Sequence, residues 1–269
     1  MNSEFDFIGR IIKESHPTPD VVVPNGDDAA VIQSGDQMLA ISVDTLVENT
    51  HFSLGYSSPR QIGLKAVESA FSDIVAVGAN PAFALISITI PKNCARTIGD
   101  QIYVGVHHAL KRIGATLIGG DTTVGGNFLA LSVTALGTYP AKRKPITRSG
   151  AKVGDLILVT GDLGESAAGL FALQHGITTY PQIIERHLEP TCRTDLINTI
   201  SQIANSAIDI SDGLSSELHH ICDASGVGCL IEHDSIPLSQ ETRALAATHD
   251  RNPYEWAWNG GEDYQILYT

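Results

Sequence analysis

Six short acidic motifs hold the side chains with the most chemical potential. They are "GDD" with Asp27 and Asp28, "SVDT" with Asp44, "FSDIV" with Asp73, "GGDTT" with Asp121, "DISDG" with Asp209 and Asp212, and "GGEDY" with Glu262 and Asp263. Taken singly, an Asp beside a Gly closes a turn or caps a helix and needs no other duty. Together they form a set of hard oxygen donors without a Cys/His cluster, which suits Mg²⁺ rather than zinc. Asp73 is the most telling, because it lies inside a strongly helical segment where Asp is a poor helix former and neither cap is available. Ser69, Ser72, Asp73 and Ala76 share its helix face, which is small and polar and leaves room for a ligand. A solvent-facing Asp is the competing reading. Asp44 ends an apolar strand, where an acid serves either as a metal ligand or as a turn residue.

Magnesium on a rigid oxygen set commonly serves phosphate chemistry. The glycines of "GGDTT" let backbone N–H groups approach a phosphate closely. "TGDLGESAAGL" is a second glycine-bearing junction, either an anion site at a helix N-terminus or an ordinary turn. Arg148 in "TRSGA" is the basic residue whose fork best matches two phosphate oxygens, with a solvated linker arginine as the alternative. His51 in "ENTHF" is a structural histidine or a neutral donor to a substrate. The His pairs at 107–108 and 219–220 fall on predicted helices and are assigned to surface or packing. The sequence has neither GxxxxGK[ST] nor GxGxxG, which excludes a P-loop and the dinucleotide fingerprint.

The 269 residues suffice for one large or two ordinary domains, and 43% hydrophobic content fits a globular protein. Thirty acidic against seventeen basic residues give a formal charge of −13, the wrong sign for tracking a nucleic acid backbone. Small anions remain accessible to an acidic protein when divalent cations intervene. Cys94, Cys192, Cys222 and Cys229 show no CxxC spacing and are read as reduced thiols of a cytoplasmic protein. The N-terminus lacks the pattern of a signal peptide, and no apolar run is long enough to span a membrane.

The elements that must position these acids follow from periodicity. Phe5, Ile8, Ile11 and Ile12 predict an opening helix. "DAAVIQ" and "QMLAISVDT" predict a hairpin turned at "SGDQ". Residues 58–78 make the best-marked helix, with Ser58 as N-cap, Pro59 at the first position and Gly78 as the stop. A strand at "AFALISITIP", a second long helix from "RTIGD" and strands at "TLIGG" and "NFLALSVTALGTY" complete this half. The order departs from strict alternation, so the expected class is α+β, with helices on one side of a mixed or antiparallel sheet over residues 1–140. After the basic crossing "PAKRKPITRSGAKVGD", a second α+β half covers 141–269. It has predicted strands at "DLILVTG", "SAIDIS" and "VGCLIEH" and helices at "GESAAGLFALQHG", about Thr191 to Ala204 and "GLSSELHHICDASG". "EDYQILYT" reads as a strand beginning rather than the end of a finished domain.

With "GDDAAV", "SVDTLVENTHF", "LKAVESAFSDIVAVGANP", "IGGDTT", "TRSGAKVGD", "VTGDLGESAAGL", "DISDGL" and "GGEDYQIL" in this order, the chain resembles the thiamine-monophosphate kinase family. Through it the chain resembles the superfamily of aminoimidazole-ribonucleotide synthetase and selenophosphate synthetase. The resemblance implies ATP-dependent phosphorylation of thiamine monophosphate to thiamine diphosphate, the last step of thiamine diphosphate biosynthesis. It implies that Asp28, Asp44, Asp73, Asp121, Asp209 and Asp212 bind several Mg²⁺ ions, with Ser42 nearby. Val43 stands where relatives often have Thr, so a metal contact there comes only from its backbone carbonyl. Tyr103, Gly120, Asp121, Arg148 and Ser211 match ATP-contacting positions, and His51 and Glu262 match positions contacting thiamine phosphate. A homodimer joined through the N-terminal halves is implied, as is a family chain running past Thr269 to an aromatic residue near the thiamine.

The implied acceptor is a phosphate monoester whose second pKa is about 6, so it is already an anionic nucleophile and no general base is expected. Charge repulsion between the two phosphates is then the main obstacle: about 4 kcal/mol per unit-charge pair at 4 Å and an effective dielectric of 20. Direct in-line transfer without a phosphoenzyme is the expected route. Two alternatives stay open, another ATP-using member of the superfamily and a non-catalytic metal- or nucleotide-binding module. A selenophosphate synthetase would carry a reactive Cys near its N-terminus, whereas the first cysteine here is Cys94.

Overall fold

Two long helices and a sheet with one covered face organise the first half. The computed structural model describes residues 4–14, 16–92 and 96–269, so Cys94 lies outside the described residues. Helix α1 (Glu4–Glu14) leaves Phe7, Ile8 and Ile11 exposed. Strands β1 (Val21–Val23), β2 (Ala30–Ser34) and β3 (Gln37–Val47) follow, and the β2–β3 hairpin closes where Ser34 pairs with Gln37. Helix α2 (Pro59–Ala76) starts at a capping box between Ser58 and Gln61 and stops at Gly78, whose φ of 74° suits glycine. Strand β4 (Asn80–Ile90), helix α3 (Arg96–Ile113) and strands β5 (Thr116–Val124) and β6 (Ala130–Thr138) complete the half.

The six strands run in the order β1-β2-β3-β6-β4-β5, antiparallel except for the β4–β5 pair. Alternation along the strands sorts the side chains. Ala84, Ile86 and Ile88 of β4 and Leu131, Val133 and Ala135 of β6 are buried with α2 and α3 in one core, whereas Phe83, Leu85 and Val43 are exposed on the opposite face. The two helices approach closely because Gly63 and Gly105 face each other's backbones. A Cβ on Gly63 would overlap the Ile102 carbonyl, and one on Gly105 would overlap the Arg60 carbonyl.

The second half is built on a smaller sheet, in the order β7-β9-β8, of strands β7 (Leu158–Val159), β8 (Ala207–Asp209) and β9 (Ile266–Tyr268). Around it pack α4 (Glu165–Gln174), α5 (Pro181–Leu188), α6 (Ile197–Ile203), α7 (Leu214–Ser225), α8 (Gln240–Thr248) and α9 (Pro253–Asn259). The expected helix over Thr191–Ala204 is a 3₁₀ turn at Thr194–Leu196 running into α6. "VGCLIEH" is not a strand: Leu230 is 90% exposed, and a 3₁₀ turn at His233–Ser235 follows. Ile146, Cys192, Ile197, Ile200, Ala207 and Ile266 join the core of the first half, so apolar contacts bind the halves together. Among the described residues, no helix is long and apolar enough to cross a membrane.

Candidate functional site

Helix α2 is the spine of the site. Lys65, Ser69, Ser72 and Asp73 recur on one face, and the eight-residue step from Lys65 to Asp73 corresponds to about 12 Å along the axis. At the Asp73 end, Ser42 and Asp44 point from the helix-covered face of β3, opposite the buried Ala135 and Val133 of β6. Ser42 Oγ donates a short hydrogen bond to Asp73 Oδ2. Asp209, at the end of β8, is 3% exposed, and Asp28 has a fully buried side chain. These acids act on one another. Burial, then Asp209 and Asp28, push the Asp73 carboxyl well above the usual carboxylate range. Burial raises Asp28 to about 8 against the opposing pull of Arg148, and raises Asp209 to about 7.

Arg148 joins the halves at this point. Its Nε and Nη2 donate to Asp28 Oδ1 at 2.9 and 2.5 Å, and its backbone N–H donates to Asp27 Oδ2 at 3.1 Å. Ser225, at the end of α7, donates from Oγ to the Arg148 carbonyl and accepts from the N–H groups of Gly150 and Ala151. Asp27 also accepts from the Asp28 N–H, so the adjacent acids divide: Asp27 braces the backbone and Asp28 faces the cluster.

Asp28 Oδ2 is buried without a hydrogen-bond partner, an unmet acceptor among like-charged neighbours. An all-oxygen set with such an atom fits a divalent cation of the magnesium type. Among the described residues, no three His, Cys, Asp or Glu side chains come together as a group that could hold a metal ion by themselves. Magnesium keeps several waters and takes substrate phosphates into its shell, so it needs few protein ligands.

At the Lys65 end, Lys65 Nζ donates to Glu262 Oε2 at 2.8 Å and to the His51 carbonyl at 3.2 Å. His51 Nδ1 accepts from the Val47 N–H at 3.0 Å, which fixes the loop after β3. Glu262 sits at φ 66°, an uncommon conformation for a non-glycine residue, and its N–H donates to the Ser211 carbonyl. Asp263 caps α4 through the N–H groups of Gly164 and Ser166. His187, 2% exposed, has Nδ1 3.0 Å from Ser166 Oγ and 3.6 Å from Glu262 Oε2, and burial with the Lys65 charge pushes it down to about 3. Burial, then the charges of Glu262, Asp44 and Asp209, raise the Tyr264 hydroxyl well above the usual range.

Not every sequence-predicted residue comes to this groove within one chain. Asp121 is exposed: it pairs with Ser87, which shares a row with Ser132 and Thr45 on the open face of the sheet. Gly120 lies against β4, where a Cβ would overlap the Ile86 carbonyl. The Val43 side chain is 65% exposed on that open face, leaving only its backbone to face the acids. Tyr103 is half-buried on α3, its ring 6.2 Å from that of His107. Asp212 is exposed, and its N–H donates to Glu217 Oε1. An open apolar cleft of about 600 Å³, lined by Leu156, Leu218, Cys222 and Leu230 among others, contains none of the clustered acids.

Sequence reasoning missed Lys65, His187 and Glu217. Glu217 is 2% exposed on α7, and burial, then Asp212 and Asp28, raise it to about 7 against the opposing Asp212 N–H. A lysine between buried Leu64 and Ala66 in the best-marked helix was the available signal for Lys65.

Comparison with known proteins connects this groove to an activity. Residues 26–139 match the family described as AIR synthase related protein, N-terminal domain, and residues 152–256 match its C-terminal domain. The thiamine-monophosphate kinase of Haemophilus influenzae is 39% identical over 99% of this chain and 81% of its own. The chain belongs to the thiamine-monophosphate kinase family. A solved structure titled "AaThiL complexed with AMPPCP and TMP" is 34% identical, with a TM-score of 0.91 over 98% of this chain and 84% of that one. The hydrogenase maturation protein HypE of E. coli, at 18% identity and a TM-score of 0.68 over 99% of this chain and 82% of that one, shares the fold alone. The kinase family and its structural neighbours have the same mixed α+β architecture as the two sheets here.

Proposed function

We propose that this protein transfers the γ-phosphoryl group of ATP to the phosphate of thiamine monophosphate, giving thiamine diphosphate and ADP. Family membership supports the activity, and the buried carboxylates around the unpartnered Asp28 Oδ2 are the observation that carries it to this chain. Asp28, Asp44, Asp73 and Asp209 would hold magnesium, with Ser42, Asp212 and the Val43 carbonyl beside them, and the bound cations would offset the phosphate charges of both substrates. Arg148, with Tyr103, Gly120 and Ser211, serves the nucleotide, and His51 and Glu262 serve the acceptor. No side chain is needed as a base, because the acceptor oxygen already carries negative charge near neutral pH. The protein's own task is to orient two anions in line and keep water from competing.

The working unit is proposed to be a homodimer formed by the open sheet faces of the 1–140 halves, with 141–269 packed behind. Val43, Phe83 and Leu85 are exposed there, and Asp121 is on the same face, away from the acids of its own chain. A second copy meeting that face would bury the apolar side chains and give Asp121 a partner surface. Incubation with ATP, Mg²⁺ and thiamine monophosphate, with separation of the thiamine phosphates, tests the activity. Thiamine diphosphate formed one-to-one with ADP is expected; ATP consumed without it, or no reaction, contradicts the proposal.

A further inference from the structure

Lys65 is a buried cation at the acceptor end, only 3% exposed. An ammonium is kept out of water only where acceptors replace its hydration. Two of its three N–H groups are used, on Glu262 Oε2 at 2.8 Å and on the His51 carbonyl at 3.2 Å. The three residues come from separate parts of the fold: α2, the loop after β3, and the segment leading into β9. Glu262 and Lys65 are 197 residues apart, so this pair ties the two halves together over the groove.

The surroundings single out Glu262 as the group being held. Its left-handed backbone, at φ 66°, is kept in place by its N–H bond to the Ser211 carbonyl, and unusual backbone of this kind concentrates at functional sites. Its side chain is 23% exposed, so part of the carboxylate remains open to the groove. His187, 3.6 Å away, stays uncharged near neutral pH, so among the described residues Lys65 is the positive partner of this carboxylate.

We propose that Lys65 is a positioning residue for the acceptor, holding the Glu262 carboxylate and the His51 loop in the geometry that receives thiamine monophosphate. This inference rests on the proposed acceptor reading. Lys65 acts through Glu262 and His51, so its loss weakens the acceptor and spares the nucleotide, whose charged residue Arg148 lies at the Asp73 end of the groove.

Binding tests this without turnover. The dissociation constants of thiamine monophosphate and of AMPPCP are measured by equilibrium dialysis in magnesium buffer for wild type, Lys65→Met, Glu262→Gln and the double variant, with each variant's Tm. Lys65→Met is expected to weaken thiamine monophosphate by about tenfold or more while leaving AMPPCP within about twofold. In the Glu262→Gln background it is expected to add no more than about twofold, because the partner it holds has already lost its charge. Unchanged acceptor binding, equal losses for both ligands with a lowered Tm, or fully additive effects would each overturn the proposal. A wild type that fails to bind thiamine monophosphate overturns it together with the acceptor reading. A wild type that binds but makes no thiamine diphosphate overturns only the kinase chemistry, and the binding ratios still decide the role of Lys65.

Discussion

Adjacent Asp27 and Asp28 point in different directions, so they do different work. Asp28 is the buried acid with an unmet oxygen, and Asp27 accepts two backbone N–H groups. Asp28→Asn is expected to lower kcat by about a thousandfold, the scale seen when a transition-state charge partner is lost, and Asp27→Asn by about tenfold, as for an indirect support. Equal losses in steady-state kinetics would deny the division. His187 offers a pH test. Its folded pKa of about 3 lies below an unfolded value near 6.5, so between them the unfolded chain binds more protons. Its contribution is complete above that unfolded value and is lost as pH falls toward 3. Below pH 6, wild type should therefore lose stability faster than His187→Gln, by up to about 1.4 kcal/mol per pH unit in urea titrations. Parallel pH profiles would remove His187 from the account. Asp73 and Asp44 stood out in the sequence because Asp inside a helix or ending an apolar strand is out of place. Lys65, His187 and Glu217 did not, because their significance comes from partners distant in sequence or from burial set by tertiary packing.

At the scale of elements, α2 aligns both ends of the groove, so its seating against α3 matters. Gly63 and Gly105 allow that contact, since a methyl on either overlaps a backbone carbonyl of the other helix. Gly63→Ala improves helix propensity by about 1 kcal/mol, yet it is expected to destabilise the protein by at least about 2 kcal/mol through overpacking. Chemical denaturation measures the difference, and a net gain in stability would mean the helices can separate without cost. The first half was readable because β4 and β6 alternate cleanly and Ser58, Pro59 and Gly78 mark the limits of α2. The second half was less so. Helices α5, α8 and α9 have only seven to nine residues each, too few turns for periodicity to stand out. "VGCLIEH" has the composition of a strand, but it pairs with no neighbouring strand in the fold.

At the scale of the whole molecule, the proposed activity joins a groove shared by the two halves to a sheet face that a second copy would cover. Leu85→Glu places a charge on that face, where Leu85 is 38% exposed and its neighbours in the sheet are left intact. The variant is expected to remain folded, to sediment as a monomer where wild type is a dimer, and to lose turnover as Asp121 loses its partner surface. A monomeric wild type, or a fully active monomeric variant, would contradict the dimer. Direct phosphoryl transfer between two bound anions is decided by a single turnover with γ-labelled ATP and excess enzyme. Label is expected to pass from ATP to the terminal phosphate of thiamine diphosphate with no labelled protein at any quench time. Label trapped on the protein before product appears, or released only as inorganic phosphate, would contradict it.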